Sequence, residues 1–483
     1  MKHTVARLGA TLVVLLLSLQ AHAAGMEHPD NGTIAMGRGG AWAANPSDGM
    51  AMQYNPAGFV QQEGLRLHID GKLAFQGLTF DPSNPEQGDA VSNQHGAFLI
   101  PGFAISYGLG SLGPLSGLTV ALGATGPSAV GKLDYATPGA EPSLEDDNFA
   151  NETGAGRYAL LGSDYFIAFY SASVAAGLFD LVNAGITLQL VHGTAQFSQA
   201  VWSGQGAGYD PIEQAAAEIN VESGFIPAAV LGATVTPTDD LDIGVSFRPR
   251  VNFTASGTLD TTSFTPGAKL LGVEQVGNAA TMKLVFPDVY RLGILYRIFA
   301  GLEVEADFVF ERWSQLQEIV IEPDNISMKL DDAWGVELPL DDIILPKKFK
   351  DAWSVRLGAE WNILDFLAVR GGFIYETSAI RPNYVSVDFN NWGRTAVSLG
   401  ASINVLGYAW IDAAYARHMI PSQTVTNSKT YQVTAPCLAG ELPAPLTGSC
   451  PEASPVGNGT YTSSLDLLSV SVRVPISDII SGD

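Results

Sequence analysis

The sequence has few cysteines, little positive charge and, after its first 24 residues, no long apolar run. A helix needs about 20 consecutive apolar residues to cross a bilayer, so we expect no membrane-spanning helix. Acidic residues outnumber basic ones by 49 to 25, and the resulting net charge of -24 argues against nucleic acid as a partner. A mean hydropathy of +0.16 is nevertheless high for a soluble protein of that charge. These shortages favour a membrane protein that crosses the bilayer without helices.

The first residues have the pattern of an export signal. Lys2, His3 and Arg7 precede an apolar run over residues 12–19, and Ala21-His22-Ala23 follows as a site for signal peptidase. We therefore expect residues 1–24 to be removed and the rest of the chain to be exported to the outer membrane of a Gram-negative bacterium.

Alternation between apolar and polar side chains at a period of two is the main structural signal. In residues 353–361 the apolar positions begin and end with Trp353 and Trp361, while Arg356 and Glu360 lie on the other face. Aromatic residues at both ends of an apolar face are typical of strands that cross a bilayer. Because strands satisfy their backbone groups in lipid only when the sheet closes, we predict an all-β fold, a transmembrane antiparallel β-barrel.

Turn-forming residues divide the chain into short turns and long loops. The short turns are predicted near residues 110–117, 179–182, 237–240, 298–301, 362–365 and 406–407. The long loops are predicted near residues 81–94, 130–163, 203–222, 259–278, 322–348, 378–391 and 421–459. This alternation implies about 14 strands within residues 63–483, with the short turns on the periplasmic side. In the third loop, Ile212, Ala215 and Ile219 have the spacing of a short amphipathic helix.

The polar faces of the strands are predicted to line the barrel interior. One strand is predicted to direct Glu303, Glu305, Asp307 and Glu311 inward, and several others offer arginines: Arg291, Arg297, Arg356, Arg370, Arg394 and Arg473. Acids and arginines in a narrow lumen are expected to pair and to hold the wall together. A proton relay or a selectivity ring is the alternative function for the same residues.

Residues 25–62 do not alternate and are rich in glycine, methionine and aromatic side chains. We interpret this segment as a hatch that plugs the lumen, because such side chains require burial. A disordered periplasmic leader is the alternative, although its composition would be unusual.

Cys437 and Cys450 are the two cysteines of the chain. In an exported protein, cysteines this close are predicted to form a disulfide, which would restrict a loop of roughly 14 residues. An acidic stretch in another part of the chain, with Glu141, Glu145 and Asp146, is expected to be an exposed loop, with a calcium site as the alternative. We predict no metal, no cofactor and no enzymatic activity, since no nucleotide, nucleophile or metal-ligand motif is present.

Several motifs, in their order along the chain, resemble the FadL/TodX family of outer-membrane transporters for long-chain fatty acids and aromatic hydrocarbons. The motifs are Gly37-Arg38-Gly39-Gly40-Ala41, Tyr54-Asn55-Pro56-Ala57-Gly58, Phe286-Pro287-Asp288, Arg312-Trp313-Ser314 and Phe349-Lys350-Asp351-Ala352-Trp353. The resemblance implies a 14-stranded barrel with an internal hatch, of which Asn55, Pro56 and Ala57 are the characteristic motif. It also implies passive uptake of a hydrophobic compound, which is first captured in a surface groove that long extracellular loops such as residues 130–163 and 203–222 could supply. The protein is expected to be a monomer that contacts outer-membrane lipid and lipopolysaccharide.

The same resemblance implies an exit for the compound through a break in the third strand. Gly123, Gly126 and Pro127 are the expected gate, since glycine and proline weaken strand pairing; the end of a strand is the alternative interpretation.

A fatty acid also needs a cation for its head group and apolar walls for its tail. The expected ligand-binding residues are Lys350, Arg248 and Arg250 for the head group, with Phe59 and Met52 in an apolar pocket beside the hatch. The alternative is that Lys350 anchors the barrel at the membrane interface. An aqueous porin or an adhesive barrel remain the alternative functions.

Overall fold

The alternating segments form long antiparallel strands, most of which are hydrogen-bonded to two neighbours. The computed structural model describes residues 31–126, 131–136, 152–178, 181–262, 268–269, 272–330, 335–389, 392–436 and 450–481. The predicted signal peptide and most of the acidic stretch lie outside these residues. Fourteen strands form the wall: β1 (Gly64–Pro82), β2 (Phe98–Gly108), β3 (Leu115–Thr125), β4 (Gly162–Leu178), β5 (Val182–Trp202), β6 (Ile226–Thr238), β7 (Leu241–Arg248), β8 (Val289–Phe299), β9 (Leu302–Glu311), β10 (Ala352–Leu364), β11 (Leu367–Glu376), β12 (Arg394–Val405), β13 (Ala409–Met419) and β14 (Gly459–Pro475).

Consecutive strands pair around the wall, and the last strand closes on the first. β14 pairs with β1 from Pro475 opposite Arg66 to Gly459 opposite Pro82. A closed ring leaves no sheet edge exposed to lipid. The predicted transmembrane barrel is therefore confirmed.

The connections between wall strands alternate in length as predicted. Short turns join β2 to β3, β4 to β5, β6 to β7, β8 to β9, β10 to β11 and β12 to β13, and long loops join the others. We call the end with the short turns periplasmic and the end with the long loops outer, as in other outer-membrane barrels.

The two faces of the wall follow the predicted alternation. On β10, Trp353 and Leu357 are 38% and 48% exposed, whereas Ser354 and Arg356 are buried. Near the outer end, aromatic rings of neighbouring strands contact one another, with centroids 4.8 Å apart for Phe247 and Tyr290 and 5.5 Å apart for Trp353 and Tyr375. We call this set the outer girdle: Phe247, Tyr290, Phe308, Phe310, Trp353 and Tyr375. Such belts mark the boundary between hydrocarbon and lipid head groups.

Additional strands in the long loops extend the sheet beyond the wall. Five of them continue it outward: Gln214–Ser223, Val251–Thr262, Ala279–Phe286, Glu318–Pro323 and Ile343–Pro346. Val91–Ser92, Leu133–Asp134 and Gln423–Val425 pair with β1, β4 and β14. Glu274–Val276, Ser327–Lys329 and Glu337–Pro339 form a separate sheet.

The amphipathic helix predicted around Ile212 is wrong. A 3-10 turn at Pro211–Glu213 is followed directly by the strand Gln214–Ser223, which pairs with β5 and with Val251–Thr262. The alternating Ala, Ile and Val side chains suit a half-buried sheet, and this pairing outweighs a weak helical spacing.

Residues 31–62, which we call the hatch segment, lie inside the barrel. The segment contains α1 (Thr33–Gly37), α2 (Ala51–Tyr54) and a 3-10 helix at Pro56–Gln61. Its apolar side chains are almost completely buried, among them Met36, Trp42 and Met50. Other short helices are the 3-10 turns Pro85–Gln87, Trp313–Gln315 and Pro382–Tyr384 and the helix α3 (Ile476–Ser481). Within the described part of the chain, no helix is long and apolar enough to cross a membrane.

The hatch segment packs against the wall where the wall has no side chains. Gly244 of β7 and Gly293 of β8 are direct partners, and a Cβ atom on Gly293 would stand 2.5 Å from the backbone nitrogen of Ala44. A Cβ atom on Gly358 would equally stand 2.5 Å from the carbonyl oxygen of Arg38. Side chains at these positions would displace the hatch backbone, so the wall glycines set its distance from the strands.

Candidate functional site

Three regions make up the candidate transport site: the contacts between hatch and wall, the end of β3, and a cavity among the outer loops. The strongest hatch contact is ionic. Arg38, which is fully buried, binds Glu305 at 2.9 Å and also pairs with Glu303. Its guanidinium lies 4.7 Å from the centre of the Trp42 ring.

Carboxylates of β9 also accept hydrogen bonds from the hatch backbone. Asp307 accepts from the N–H groups of Trp42 and Ala43, both at 2.9 Å, and Glu305 accepts from Ala44 at 2.7 Å. The acids that were predicted to face the lumen are thus used to hold the hatch segment. This arrangement supports the structural interpretation of the lumenal charges.

The Asn55-Pro56-Ala57 motif joins the hatch to the wall at a second place. The side-chain amide of Asn55 donates to the carbonyl oxygen of Ala43 at 2.8 Å and to the Thr234 hydroxyl of β6 at 3.2 Å. Its carbonyl oxygen accepts from the N–H of Ala57 at 3.1 Å, and Pro56 then begins the 3-10 helix. One amide side chain therefore orients the turn and attaches it to the wall.

Met52 and Phe59, the predicted apolar ligand contacts, are fully buried. Together with Ala104, Ala121 and Ala175 of the wall they form a packed cluster. A Cβ atom on Gly123 would stand 2.5 Å from the terminal carbon of Met52, so Gly123 leaves room for this side chain. The two residues act as packing in this structure, and their contact with a ligand stays a prediction.

The predicted gate residues occupy different positions in the wall. Gly123 is paired on both sides, with Ala104 of β2 and Ser171 of β4. The strand ends at Thr125, and the N–H of Gly126 is 3.4 Å from the carbonyl oxygen of Pro101. Pro127 lies outside the described residues.

Beyond Thr125 the described ladder between β3 and β4 is interrupted, and residues 127–130 lie outside the described residues. β4 next gains a partner at Ser163 and Gly162, which pair with Leu133 and Asp134. Between these pairings, residues 164–168 of β4 have no ladder partner on this side among the described residues. Asn31 of the hatch donates to the carbonyl oxygen of Gly126 at 2.6 Å, so the hatch borders the interruption.

The three predicted head-group cations lie in different elements, and among the described contacts none joins one of them directly to another. Arg248 ends β7, and the Arg291 guanidinium of the adjacent strand lies 5.7 Å from the ring of Tyr54 in the hatch. Arg250 is exposed, and its N–H donates to Asp288 at 2.7 Å. Lys350 is half-buried in the last outer connection before β10, where its N–H donates to Ala379 at 2.9 Å.

The outer loops surround a cavity of about 800 Å³, and residues of the predicted loops 130–163 and 203–222 contribute to its lining. Its apolar lining comes from distant parts of the chain, including Val201, Ala217, Leu259, Leu340 and Ile343. No local pattern could have indicated this lining, because the segments meet only in the folded protein. None of the five predicted ligand-binding residues belongs to its described lining.

Residues beside the two cysteines border the same cavity. Pro436 and Pro451 line it, and the carbonyl oxygen of Cys450 accepts from the N–H of Gly206 at 3.1 Å. Cys437 lies outside the described residues, so the disulfide stays a prediction. Burial raises the pKa of Tyr158, another lining residue, more than the neighbouring Arg157 lowers it, and its hydroxyl therefore remains protonated at neutral pH.

Comparison with known proteins gives one family and a group of structures with the same fold. The chain matches the family model described as outer membrane protein transport protein (OMPP1/FadL/TodX) over residues 148–449. A FadL homologue of Pseudomonas aeruginosa has a TM-score of 0.70 at 14% identity, with 93% of this chain and 99% of that chain covered. The toluene transporters TodX of P. putida and TbuX of Ralstonia pickettii have TM-scores of 0.63 and 0.60 at 12% and 16% identity, each covering 92% of this chain and 98% of its own. None of the curated protein sequences compared with the chain matches it.

We predict that Arg38→Ala loosens the hatch. The substitution leaves Glu303 and Glu305 beside the hatch without their cation, which costs about 3–5 kcal/mol in a buried pair. The variant should melt at a lower temperature in detergent and conduct ions in planar bilayers. The control is Arg417→Ala, which removes an exposed ion pair with Asp466 and should cost about 0–1 kcal/mol. Wild-type melting and a closed pore in Arg38→Ala would contradict this prediction.

Proposed function

We propose, for a chain that belongs to the outer membrane protein transport family (OMPP1/FadL/TodX), that hydrophobic compounds enter at the outer cavity and leave sideways beside the end of β3. The protein is therefore an outer-membrane channel for hydrophobic compounds. The contacts described above support the more specific route and substrate class.

The hatch contacts support a sideways route. Passage along the barrel axis would require separation of Arg38 from Glu305 and of Asp307 from two backbone N–H groups. Each of these groups is buried, so their separation would leave charges without partners. A route through the interruption beside β3 requires no such change.

Buried apolar side chains connect the cavity with the interruption. Val201, Ala217 and Leu259 line the cavity and belong to the same packed cluster as Leu133 and Phe169. Phe169 is the partner of Thr125, the last residue of β3, and Leu133 lies on the far side of the interruption. A hydrophobic compound that rearranges these side chains would stay in apolar surroundings from the cavity to the membrane.

The charge of the outer cavity supports an uncharged substrate. Its described charged lining comprises Glu213, Asp341, Asp342 and Asp388 with Lys347, and Lys347 pairs with Asp388. A fatty-acid carboxylate would meet an excess of negative charge there, whereas a hydrocarbon needs only apolar walls. We therefore propose neutral hydrocarbons, such as monoaromatic compounds, as preferred substrates over long-chain fatty acids.

The hatch segment also bears on the alternative functions. An aqueous porin needs an open lumen, and here residues 31–62 occupy the space between β1, β6, β9 and β12. No feature of the described loops specifically supports an adhesive role.

We predict that cells carrying this protein take up labelled toluene several-fold faster than cells without it, with little gain for labelled oleate. Asp388→Asn should increase oleate uptake because it releases the Lys347 ammonium to bind a carboxylate. Asp341→Asn is the matched control, since it changes the net charge equally and frees no lysine. Wild-type uptake of oleate equal to that of toluene would exclude the proposed preference.

We predict that Gly126→Val with Pro127→Thr reduces toluene uptake sharply and leaves toluene binding unchanged. Valine and threonine favour the strand, and threonine restores an N–H donor, so the ladder should extend past Thr125. A Cβ atom at residue 126 would lie 3.4 Å from Ile100, which the wall can accommodate. Gly96→Val, at an open loop position, is the control. Unchanged uptake at equal amounts of folded protein would instead favour passage through the hatch.

A further inference from the structure

Five basic residues form a patch at the outer rim of a protein whose formal net charge is -24. We call them the rim patch: Arg250, Arg312, Lys348, Lys350 and Arg381. Arg250, Arg312 and Arg381 are exposed, and the two lysines are half-buried. The patch lies in the connections that enter or leave wall strands β7 to β11.

Short contacts connect the segments that carry these residues. Asp288 accepts from the backbone N–H of Arg250 at 2.7 Å and from the guanidinium of Arg312 at 3.1 Å. The Arg381 guanidinium donates to the carbonyl oxygen of Lys348 at 2.7 Å. Lys350 is attached to the same region through its N–H, which donates to Ala379 at 2.9 Å.

A contact between two loops links the part of the patch with Arg250 and Arg312 to the part with Lys348, Lys350 and Arg381. The N–H of Ser314, two residues after Arg312, donates to the carboxylate of Asp351 at 2.9 Å. Asp351 follows Lys350 directly in the chain. The segments that carry the rim patch are therefore linked to one another from Arg250 to Arg381.

The outer girdle shows at which depth of the membrane the patch lies. Lys350 is three residues outward of Trp353, Arg250 three residues outward of Phe247, and Arg312 two residues outward of Phe310. At an extended rise of about 3.3 Å per residue, the backbone of these cations lies at most roughly 7–10 Å beyond that of the aromatic residues. This is the depth of the lipid head groups in the outer leaflet.

The charge of the patch is incompletely balanced. Its five cations face three carboxylates: Asp288, Asp351 and Glu318, of which Glu318 pairs with Lys348 at 3.5 Å. Within the described residues, no acidic side chain forms an ion pair with Arg250 or Lys350. On the same half of the barrel, exposed Lys283 pairs with Glu322 at 2.5 Å and exposed Arg417 pairs with Asp466.

We propose that the rim patch binds phosphate groups of lipopolysaccharide in the outer leaflet. The patch spans four strand spacings, roughly 20 Å, which suits a lipid with several phosphates better than a single carboxylate or inorganic phosphate. Arginine and lysine provide charge-assisted hydrogen bonds to phosphate oxygens. The bound lipid would anchor the rim of the barrel next to the outer loops.

The test compares lipid A binding by purified full-length proteins in native mass spectrometry. The variant is Arg250→Gln with Lys350→Gln, and the control is Lys283→Gln with Arg417→Gln, which removes two ion-paired cations from the same half of the barrel. Each unpaired cation near a lipid surface contributes about fivefold to binding, so the variant should bind bisphosphorylated lipid A on the order of 25-fold more weakly. The control and the conservative variant Arg250→Lys with Lys350→Arg should bind it like the wild type.

Two further probes identify the group that is recognised. Dephosphorylated lipid A should bind wild type and variant equally weakly, and inorganic phosphate at the same concentration should not displace lipid A. Equal binding of bisphosphorylated lipid A by wild type and Gln variant would overturn the proposal. Displacement by inorganic phosphate would overturn it too, because it would show a site for a free anion. Retention of the heat-dependent gel shift of a folded barrel establishes that each variant is folded.

Discussion

Hydrogen bonding of the wall backbone in lipid is the constraint on which the rest of the structure depends. Each unpaired N–H or C=O group in hydrocarbon costs several kcal/mol, so the sheet must close, as it does between β1 and β14. The alternation of side chains, the aromatic girdle and the short periplasmic turns follow from that closure. The interruption beside Thr125 is notable for the same reason. A ligand that passes beyond Thr125 separates none of the described pairs of β3 and β4, because these end at Thr125 and Phe169.

In the lumen, buried charged side chains are the groups that need partners. Glu305 and Asp307 of β9 are satisfied by Arg38 and by backbone N–H groups of the hatch segment. The wall glycines bring the hatch backbone close enough for these bonds. The hatch and the wall supply each other's partners, because Arg38 and N–H groups of the hatch bind carboxylates of the wall. The hatch is therefore a structural component of the barrel interior.

Local patterns predicted the wall well, and long-range assembly explains what they did not predict. The faces of β9 and β10 follow from the alternation of neighbouring residues, so sequence alone was sufficient for them, whereas Asn55, Pro56 and Ala57 were identified through the family resemblance. The outer cavity joins Tyr158, Ala217 and Leu340, which no periodicity connects. The prediction that Arg248 and Arg250 act together shows another limit of local patterns. Residues two apart share a face only within one strand, and β7 ends at Arg248 while the next strand begins at Val251.

The most direct test of the account is to lock the hatch to the wall. The hydroxyl groups of Thr33 in α1 and Ser469 in β14 are 2.7 Å apart, so cysteines at both positions are placed to form a disulfide. The account predicts that cells carrying the oxidised Thr33→Cys, Ser469→Cys protein take up toluene as fast as cells carrying the wild type. Loss of uptake on oxidation, with recovery on reduction, would show that the hatch must move and would contradict sideways release.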